Sequence, residues 1–193
     1  FLHISKISEN IHSLISAGFL EPMYAGISGE LLHKFPNSNL AFGVDLNAVQ
    51  MREYDMMFGL RDYKTITSHL NFYYDAGRSF DLEMNIGRYL AKDFGVTTKL
   101  SRRFGNGWSV GAYATFTDVP FDTFGEGSFD KGFYINIPLD WSSGLASKST
   151  RSVPIKMITR DGGAILSSSK SLHRFIRKSK QSEIKREYGR FLK

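Results

Sequence analysis

The amino-acid sequence predicts an all-β fold, an antiparallel up-and-down meander of about eight strands. Apolar and polar side chains alternate with a period of two along segments of about ten residues, which is typical of strands with one apolar and one polar face. Glycine, proline, asparagine and serine cluster between these segments and indicate turns. Between the predicted strands no segment has a clear helical periodicity.

The predicted strands lie at 23–35, 40–49, 63–75, 81–91, 95–104, 108–117, 133–141 and 153–160. The clearest is Leu40 to Val49, where Leu40, Phe42, Val44 and Leu46 oppose Ala41, Gly43, Asp45 and Asn47. Ahead of them, isoleucine and leucine recur every three or four residues in 1–18, which favours a short helix or an irregular lead-in. The segment 164–176 is expected to form a last, poorly patterned strand.

Composition limits the classes of function. The 193 residues have no cysteine, which removes disulfides, thiolate metal sites and a cysteine nucleophile. The net charge of +6 is unevenly distributed along the chain. Residues 167–193 hold nine Lys/Arg and two Glu, which leaves sixteen Lys/Arg and seventeen Asp/Glu in residues 1–166. The main body is therefore nearly neutral, and no nucleic-acid partner is expected. Binding of nucleic acid through the basic tail stays a third, separate hypothesis.

Two architectures fit such strands: a soluble sandwich or barrel with its apolar faces inward, or a membrane barrel with those faces turned to lipid. Strand lengths near those needed to cross a bilayer, and the alternation of short turns with longer loops, favour the membrane barrel. Arg88 and Arg102 share a side with apolar residues, so in that architecture each must lie near a strand end or a bulge. No apolar run is long enough for a transmembrane helix, and Phe1 does not begin a signal peptide.

Six phrases of the sequence resemble a known family: EPMYAGISGELL (21–32), FGLRDY (58–63), GRYLAKDFG (87–95), RRFGNGWSVGAYATFTDV (102–119), FGEGSFDKGFYINIPLD (124–140) and TRDGGA (159–164). They are similar to the C-terminal region of the YjbH proteins, which are related to the GfcD proteins of capsule-type operons. The resemblance implies an outer-membrane β-barrel of a Gram-negative bacterium, without enzymatic activity or cofactor, that takes part in exopolysaccharide production or export. A soluble all-β carbohydrate-binding module is the alternative.

The same resemblance implies a division of the chain. Residues 1–18 would be a lead-in from a longer upstream region, 19–166 the barrel domain, and 167–193 a basic tail outside the family pattern. The implied partners are outer-membrane lipid, extracellular polysaccharide and other proteins of the exopolysaccharide operon. In the tail, Leu172, Phe175 and Ile176 recur at helical spacing among basic residues, which fits either an amphipathic helix or a solvated extension.

Candidate contact residues lie in the loops and at strand ends. The loop acids match no calcium-binding spacing, and no histidine pair or nucleophile motif occurs, so no catalytic or metal-binding residue is predicted. Aromatic rings and charged groups together suit either polysaccharide contacts or a self-packed rim. The candidates for either role are Arg61, Asp62, Arg88, Phe124, Glu126, Phe129, Asp130, Lys131, Arg160 and Asp161.

Overall fold

The computed structural model describes residues 1–77, 79–119, 129–140, 150–156, 162–166 and 171–178. Ten strands form one antiparallel sheet in which sequence order and spatial order are the same. The strands are β1 (Leu2–Lys6), β2 (Ile11–Glu21), β3 (Tyr24–Lys34), β4 (Leu40–Arg52), β5 (Leu60–Gly77), β6 (Phe80–Arg88), β7 (Phe94–Arg103), β8 (Ser109–Thr117), β9 (Asp130–Pro138) and β10 (Thr150–Lys156). One helix, α1 (Leu172–Lys178), follows them. The predicted antiparallel meander is confirmed.

The short helix or irregular conformation predicted for 1–18 is wrong, because this segment forms β1 and most of β2. Leu2 pairs with Ser16 and Lys6 with His12, so the segment is a β-hairpin. The apparent helical spacing arose because both faces of β2 carry large apolar residues: Leu14 is buried, whereas the next residue, Ile15, is exposed. The strand predicted at 164–176 is also wrong, since its C-terminal part lies in α1.

The connections divide between the two ends of the sheet. The turns at 7–10, 35–39, 78–79 and 104–108 lie at one end, called here the short-turn end. The connections 22–23, 53–59, 89–93 and 118–129 lie at the other, called the long-loop end. The predicted alternation of short and long connections is incomplete, because 22–23 and 89–93 at the long-loop end are short and the long connection 139–149 belongs to the short-turn end.

The two faces of the sheet have opposite chemistry. On the outer face Ile27 and Leu46 are 61% and 58% exposed, and Phe133 is 65% exposed. On the inner face Thr67 is 0% and His69 2% exposed. Apolar side chains thus point outward and polar side chains inward, which reverses the usual preference of large apolar residues for the interior.

Arg88 and Arg102 both lie at strand ends, as the membrane-barrel architecture requires. Arg88 is the last residue of β6, and Arg102 is the second-last residue of β7. The Arg102 guanidinium lies over the rings of Phe80 and Phe104, at 5.3 and 5.1 Å from their centroids. These ring contacts give the charge a favourable local partner.

Glycines on the inner face allow close approach of neighbouring strands at the long-loop end. A Cβ on Gly87 would overlap the Ser68 carbonyl oxygen of β5 and lie 2.9 Å from the His69 Cα. Gly26 approaches the backbone of β4 equally closely, and Gly95 approaches that of β8. Such glycine kinks let a sheet curve toward one face. Within the described residues β1 pairs only with β2 and β10 only with β9, so the curved sheet is open between them.

No helix among the described residues is long and apolar enough to cross a membrane.

Candidate functional site

The inner face of the sheet encloses a cavity of about 970 Å³. Residues from β2 through β10 line it, so the sheet curves around a common interior. The period-two alternation is the cause, because it directs every second side chain of each strand into this space. The cavity is therefore a concave surface that β2 to β10 build together, and its lining defines the candidate site.

A network of buried polar side chains crosses the wall that β4, β5 and β6 form. It is centred on the Asp45 carboxylate, and we call it the polar cluster: Asp45, Asn47, Thr67, His69, Asn71 and Asn85. Asp45 Oδ1 accepts a hydrogen bond from Asn47 Nδ2 at 2.8 Å and lies 3.1 Å from His69 Nδ1. Asp45 Oδ2 accepts from Asn71 Nδ2 at 2.7 Å.

The cluster extends sideways along neighbouring strands. Asn47 Nδ2 also donates to Thr67 Oγ1 at 3.0 Å, and Asn85 Nδ2 donates to Asn71 Oδ1 at 2.6 Å. These groups lie in register, since Asp45 is opposite His69 and Asn71 is opposite Asn85. A connected network of this kind holds each amide and the imidazole in one orientation. It presents fixed donors and acceptors to any hydroxyl-rich molecule in the cavity.

A second polar chain continues this wall toward β8. The buried Tyr89 hydroxyl and Thr97 Oγ1 are 2.8 Å apart, and Thr97 Oγ1 and Thr115 Oγ1 are 2.9 Å apart. The Tyr89 ring also meets His69 edge-on, with 5.1 Å between centroids. The chain joins the polar cluster to β8 and makes the inner wall continuous from β4 to β8.

Ion pairs occupy the inner face nearer the short-turn end. Arg103 Nε lies 2.6 Å from Asp81 Oδ2, and Arg177 NH1 of α1 lies 3.0 Å from the same oxygen. Lys99 Nζ lies 2.9 Å from Glu83 Oε1. Lys99, Arg103 and Arg177 are therefore matched by carboxylates on the same face.

Helix α1 lies inside the curve of the sheet, against β2, β3, β5 and β6. Leu172 is fully buried in a cluster with Leu14, Leu32, Ala41 and Tyr73. Its backbone N–H donates to Glu30 Oε2 at 2.9 Å. The ring of the next residue, His173, stacks on Tyr73 with 3.7 Å between centroids.

The segment 162–166 enters the interior at the long-loop end. Gly163 N donates to Asp93 Oδ2 at 2.8 Å, and Leu90 N donates to the Ala164 carbonyl at 3.0 Å. Leu166 is buried against Val49 and Leu90. Gly163 also lies beside Thr115 of β8. This segment and α1 together fill part of the cavity, mainly on the side of β2 to β6, and we call them the internal segment.

The predicted contact residues do not form one site. Arg61 and Asp62 lie at the start of β5, where the Arg61 guanidinium is 4.4 Å from the Tyr54 ring centroid. Arg88 lies at the same long-loop end but on the outer face of β6. Phe124, Glu126, Arg160 and Asp161 lie outside the described residues.

The three candidates at the start of β9 face opposite ways. Phe129 stacks on Phe116 of the outer face at 4.4 Å, and Lys131 Nζ lies 4.2 Å from the Phe129 centroid. Asp130 instead accepts a hydrogen bond from the Tyr113 hydroxyl at 3.2 Å on the inner face. Of these three residues, only Asp130 lies on the inner face.

Sequence reasoning missed the polar cluster as a unit. The alternation placed Asp45, Asn47, His69 and Asn71 on polar faces, but the strand register that joins them was not available. The only signal was the spacing: Asp45 and Asn47 are two residues apart on one strand, and His69 and Asn71 are two residues apart on the next. Within the described residues no three His, Asp or Glu side chains come together to hold a metal ion.

Comparison with known proteins agrees with the phrases noted in the sequence. A family model described as exopolysaccharide biosynthesis protein YbjH matches residues 1–178. The chain belongs to the YjbH family. The match of this YjbH-family chain includes all ten strands and α1.

One curated relative is the "Uncharacterized lipoprotein YjbH" of Escherichia coli strain K12. It is 36% identical over 167 residues, which is 83% of the YjbH-family chain and 24% of the relative. The chain thus spans about a quarter of the length of this relative. No solved structure matches the chain.

Proposed function

We propose that this chain forms part of an outer-membrane β-barrel that takes part, without enzymatic activity, in exopolysaccharide production or export in a Gram-negative bacterium. The observation that carries the proposal is the reversed sheet: exposed apolar residues cover the outer face, and polar residues line the cavity. A lipid bilayer is the solvent that such an outer face suits. Family membership in exopolysaccharide biosynthesis supports the polysaccharide part of the proposal.

The exposed apolar residues extend across several neighbouring strands of the outer face. They include Ile27 and Leu31 on β3, Val44 and Leu46 on β4, Ile66 and Leu70 on β5, and Leu100 on β7. A monomer in water rarely exposes a continuous apolar surface of this extent, because hydration of apolar area is unfavourable. The lengths of β2 to β5, from 11 to 18 residues, also meet the length needed to cross a bilayer.

The two unpaired edges fit the same proposal. β1 and β10 each present one row of backbone groups without a strand partner among the described residues. Unsatisfied backbone groups are costly in lipid, so membrane sheets close on themselves. We propose that further strands, outside the described residues, complete the barrel. The lipoprotein name of the Escherichia coli relative supports a membrane-associated location.

The proposal is tested with single-cysteine variants, which the cysteine-free chain makes simple. Ile27 faces outward and its neighbour Ser28 is buried on the inner face, so Ile27→Cys and Ser28→Cys place a label at one depth on opposite faces. Leu100→Cys and Ser101→Cys form a second pair on β7. After refolding into bilayers, a fluorescent label is expected to be quenched by brominated lipid at 27 and 100 but not at 28 and 101.

Equal quenching within both pairs would contradict membrane insertion. Folding of the chain as a monomer in detergent-free buffer would also contradict it. If such a monomer bound polysaccharide, the alternative of a soluble all-β carbohydrate-binding module would replace the barrel.

A further inference from the structure

The inner faces of β8 and β9 carry two tyrosines and two glycines in a diagonal arrangement. Gly111 pairs with Tyr134, and Tyr113 pairs with Gly132. All four residues face the cavity side, because residues two apart on a strand, and residues directly opposite each other, share a face. Each tyrosine thus has a glycine as its cross-strand neighbour.

The tyrosine rings lie across these glycines. A Cβ on Gly111 would lie 2.8 Å from Cε1 of Tyr134 and closer still to its Cζ and hydroxyl oxygen. A Cβ on Gly132 would lie 2.8 Å from Cε1 of Tyr113. A ring that covers its neighbour's Cα in this way has one face against the backbone. The other face is then directed into the cavity that both tyrosines line.

We propose that Tyr113 and Tyr134 form a stacking platform for pyranose rings of a neutral glycan inside the cavity. The C–H groups on the apolar face of a pyranose carry partial positive charge, and the face of an aromatic ring carries partial negative charge, so the two attract. The choice of a glycan as the ligand class rests on the proposed function. The placement of the platform rests on the strand geometry alone.

The polar groups around the platform suit hydroxyl groups. Asn136 Nδ2 donates to Ser109 Oγ at 2.9 Å directly beyond Tyr134, toward the short-turn end. At the other end the Asp130 carboxylate accepts from the Tyr113 hydroxyl and fixes that ring. Ligand sites usually combine apolar surface with a few polar groups that orient the ligand. Here the tyrosine rings supply the apolar surface, and Asn136, Ser109 and Asp130 supply the polar groups.

Three cations near the platform have carboxylate partners, and one of them, Lys156 of β10, lies opposite Gly132 and interacts with Asp130. Lys99 lies directly opposite Tyr113 on β7, and its ammonium group is paired with Glu83. Arg103, opposite Ser109, is paired with Asp81. An anionic sugar would have to compete with these carboxylates for the same cations, whereas a neutral hydroxyl-rich sugar leaves both ion pairs intact.

Among the described residues, the apolar anchors of the internal segment lie on the other side of the cavity from the platform. These anchors, Leu166 and Leu172, are buried against residues of β2 to β5 and the β6–β7 turn. The ion pair of Arg177 is with Asp81 of β6. Gly163 of the internal segment does approach β8, where it lies beside Thr115, but the platform residues Tyr113 and Tyr134 are outside the contacts of Leu166, Leu172 and Arg177.

The test is titration calorimetry of the full chain, folded in detergent, with two neutral probes, maltohexaose and cellohexaose, and one anionic probe, hexagalacturonate. We expect a neutral hexasaccharide to bind, and Tyr134→Ala to weaken its binding roughly three- to tenfold. Tyr134→Phe keeps the ring and is expected to bind as the parent does. Phe133→Ala is the matched control, because Phe133 points outward between the inward-facing Gly132 and Tyr134. It is expected to leave binding unchanged.

Gly111→Ala tests the geometry with the tyrosines still present. The added methyl group meets only the far end of the Tyr134 side chain, so the sheet should fold while the ring is displaced. We expect a loss of affinity similar to that of Tyr134→Ala. Normal heat-modifiable migration on gels will show that both variants are folded.

Three results would overturn the platform: binding of neither neutral probe, equal affinity of the parent and Tyr134→Ala, or tighter binding of hexagalacturonate. These results are distinguishable from failure of the proposed function, because the lipid-quenching contrast between positions 27 and 28 uses no sugar. A chain that inserts in bilayers but binds neither neutral probe would refute the platform and leave the barrel standing.

Discussion

The sharpest prediction concerns Gly87, where two strands approach too closely for a side chain. In Gly87→Ala the new Cβ would overlap the Ser68 carbonyl oxygen and crowd the His69 Cα. Both are backbone atoms of β5, which is paired on its other edge with β4 and cannot retreat without breaking that ladder. Overpacking costs about 1 to 3 kcal/mol, and each lost hydrogen bond adds about 1 kcal/mol. We expect the free energy of unfolding to fall by about 3 kcal/mol or more.

Gly29→Ala is the matched control for this substitution. Gly29 lies in the middle of β3, and a Cβ there has nothing within 4 Å. Its substitution should stabilise the chain by up to about 1 kcal/mol, because alanine has less conformational freedom to lose on folding. Urea unfolding of the refolded chains in detergent micelles, followed by tryptophan fluorescence, measures both values. Equal midpoints for the two variants would refute the close approach of β5 and β6, and with it the inward curvature assigned to the inner-face glycines.

Two further predictions concern the cavity. Leu172→Ala removes a fully buried side chain of α1 and should weaken the docking of the helix by about 2 to 5 kcal/mol. Amide hydrogen exchange at 172–178 should then accelerate, while exchange in β4 and β5 does not change. Unchanged protection of the helix would show that Leu172 does not hold it. Asp45→Ala removes the carboxylate that Asn71 and His69 contact and should lower the free energy of unfolding by about 1 to 3 kcal/mol. Asp45→Asn should cause a smaller loss. A urea midpoint of Asp45→Ala equal to that of the parent would show that the polar cluster adds no stability.

The sequence was most informative where periodicity and turn chemistry act locally. Eight of the ten strands were predicted near their observed positions, because alternation over 40–49 and the turn at 36–39 depend only on neighbouring residues. β1 and β2 were missed for a physical reason. Leu14 packs under α1 while Ile15 faces outward, so both faces of β2 carry apolar residues and the period of two is obscured.

The site was less predictable than the fold, because it depends on register. Asp130 was predicted as a contact residue near a loop, but only the pairing of Gly132 with Tyr113 shows that a ring lies across the inner face. A one-residue change of register would place Tyr134 opposite a different residue and direct the set to the other face. The glycines were equally ambiguous, since neither the sequence pattern of Gly111 nor that of Gly87 distinguishes a covered glycine from a kink.

The reversed sheet also explains how a polar interior can be stable in this chain. A cavity lined by amides, hydroxyls and ion pairs contributes little hydrophobic stabilisation, so order inside it must come from contacts that fix polar groups in place. The internal segment supplies the apolar part with Leu166 and Leu172, and both are buried toward the first five strands or the β6–β7 turn. The inner faces of β8 and β9 achieve order differently, by laying Tyr113 and Tyr134 over glycines. Among the described residues, the side of β2 to β6 is thus ordered by apolar contacts with the internal segment, and the side of β8 and β9 by aromatic rings that lie over glycines.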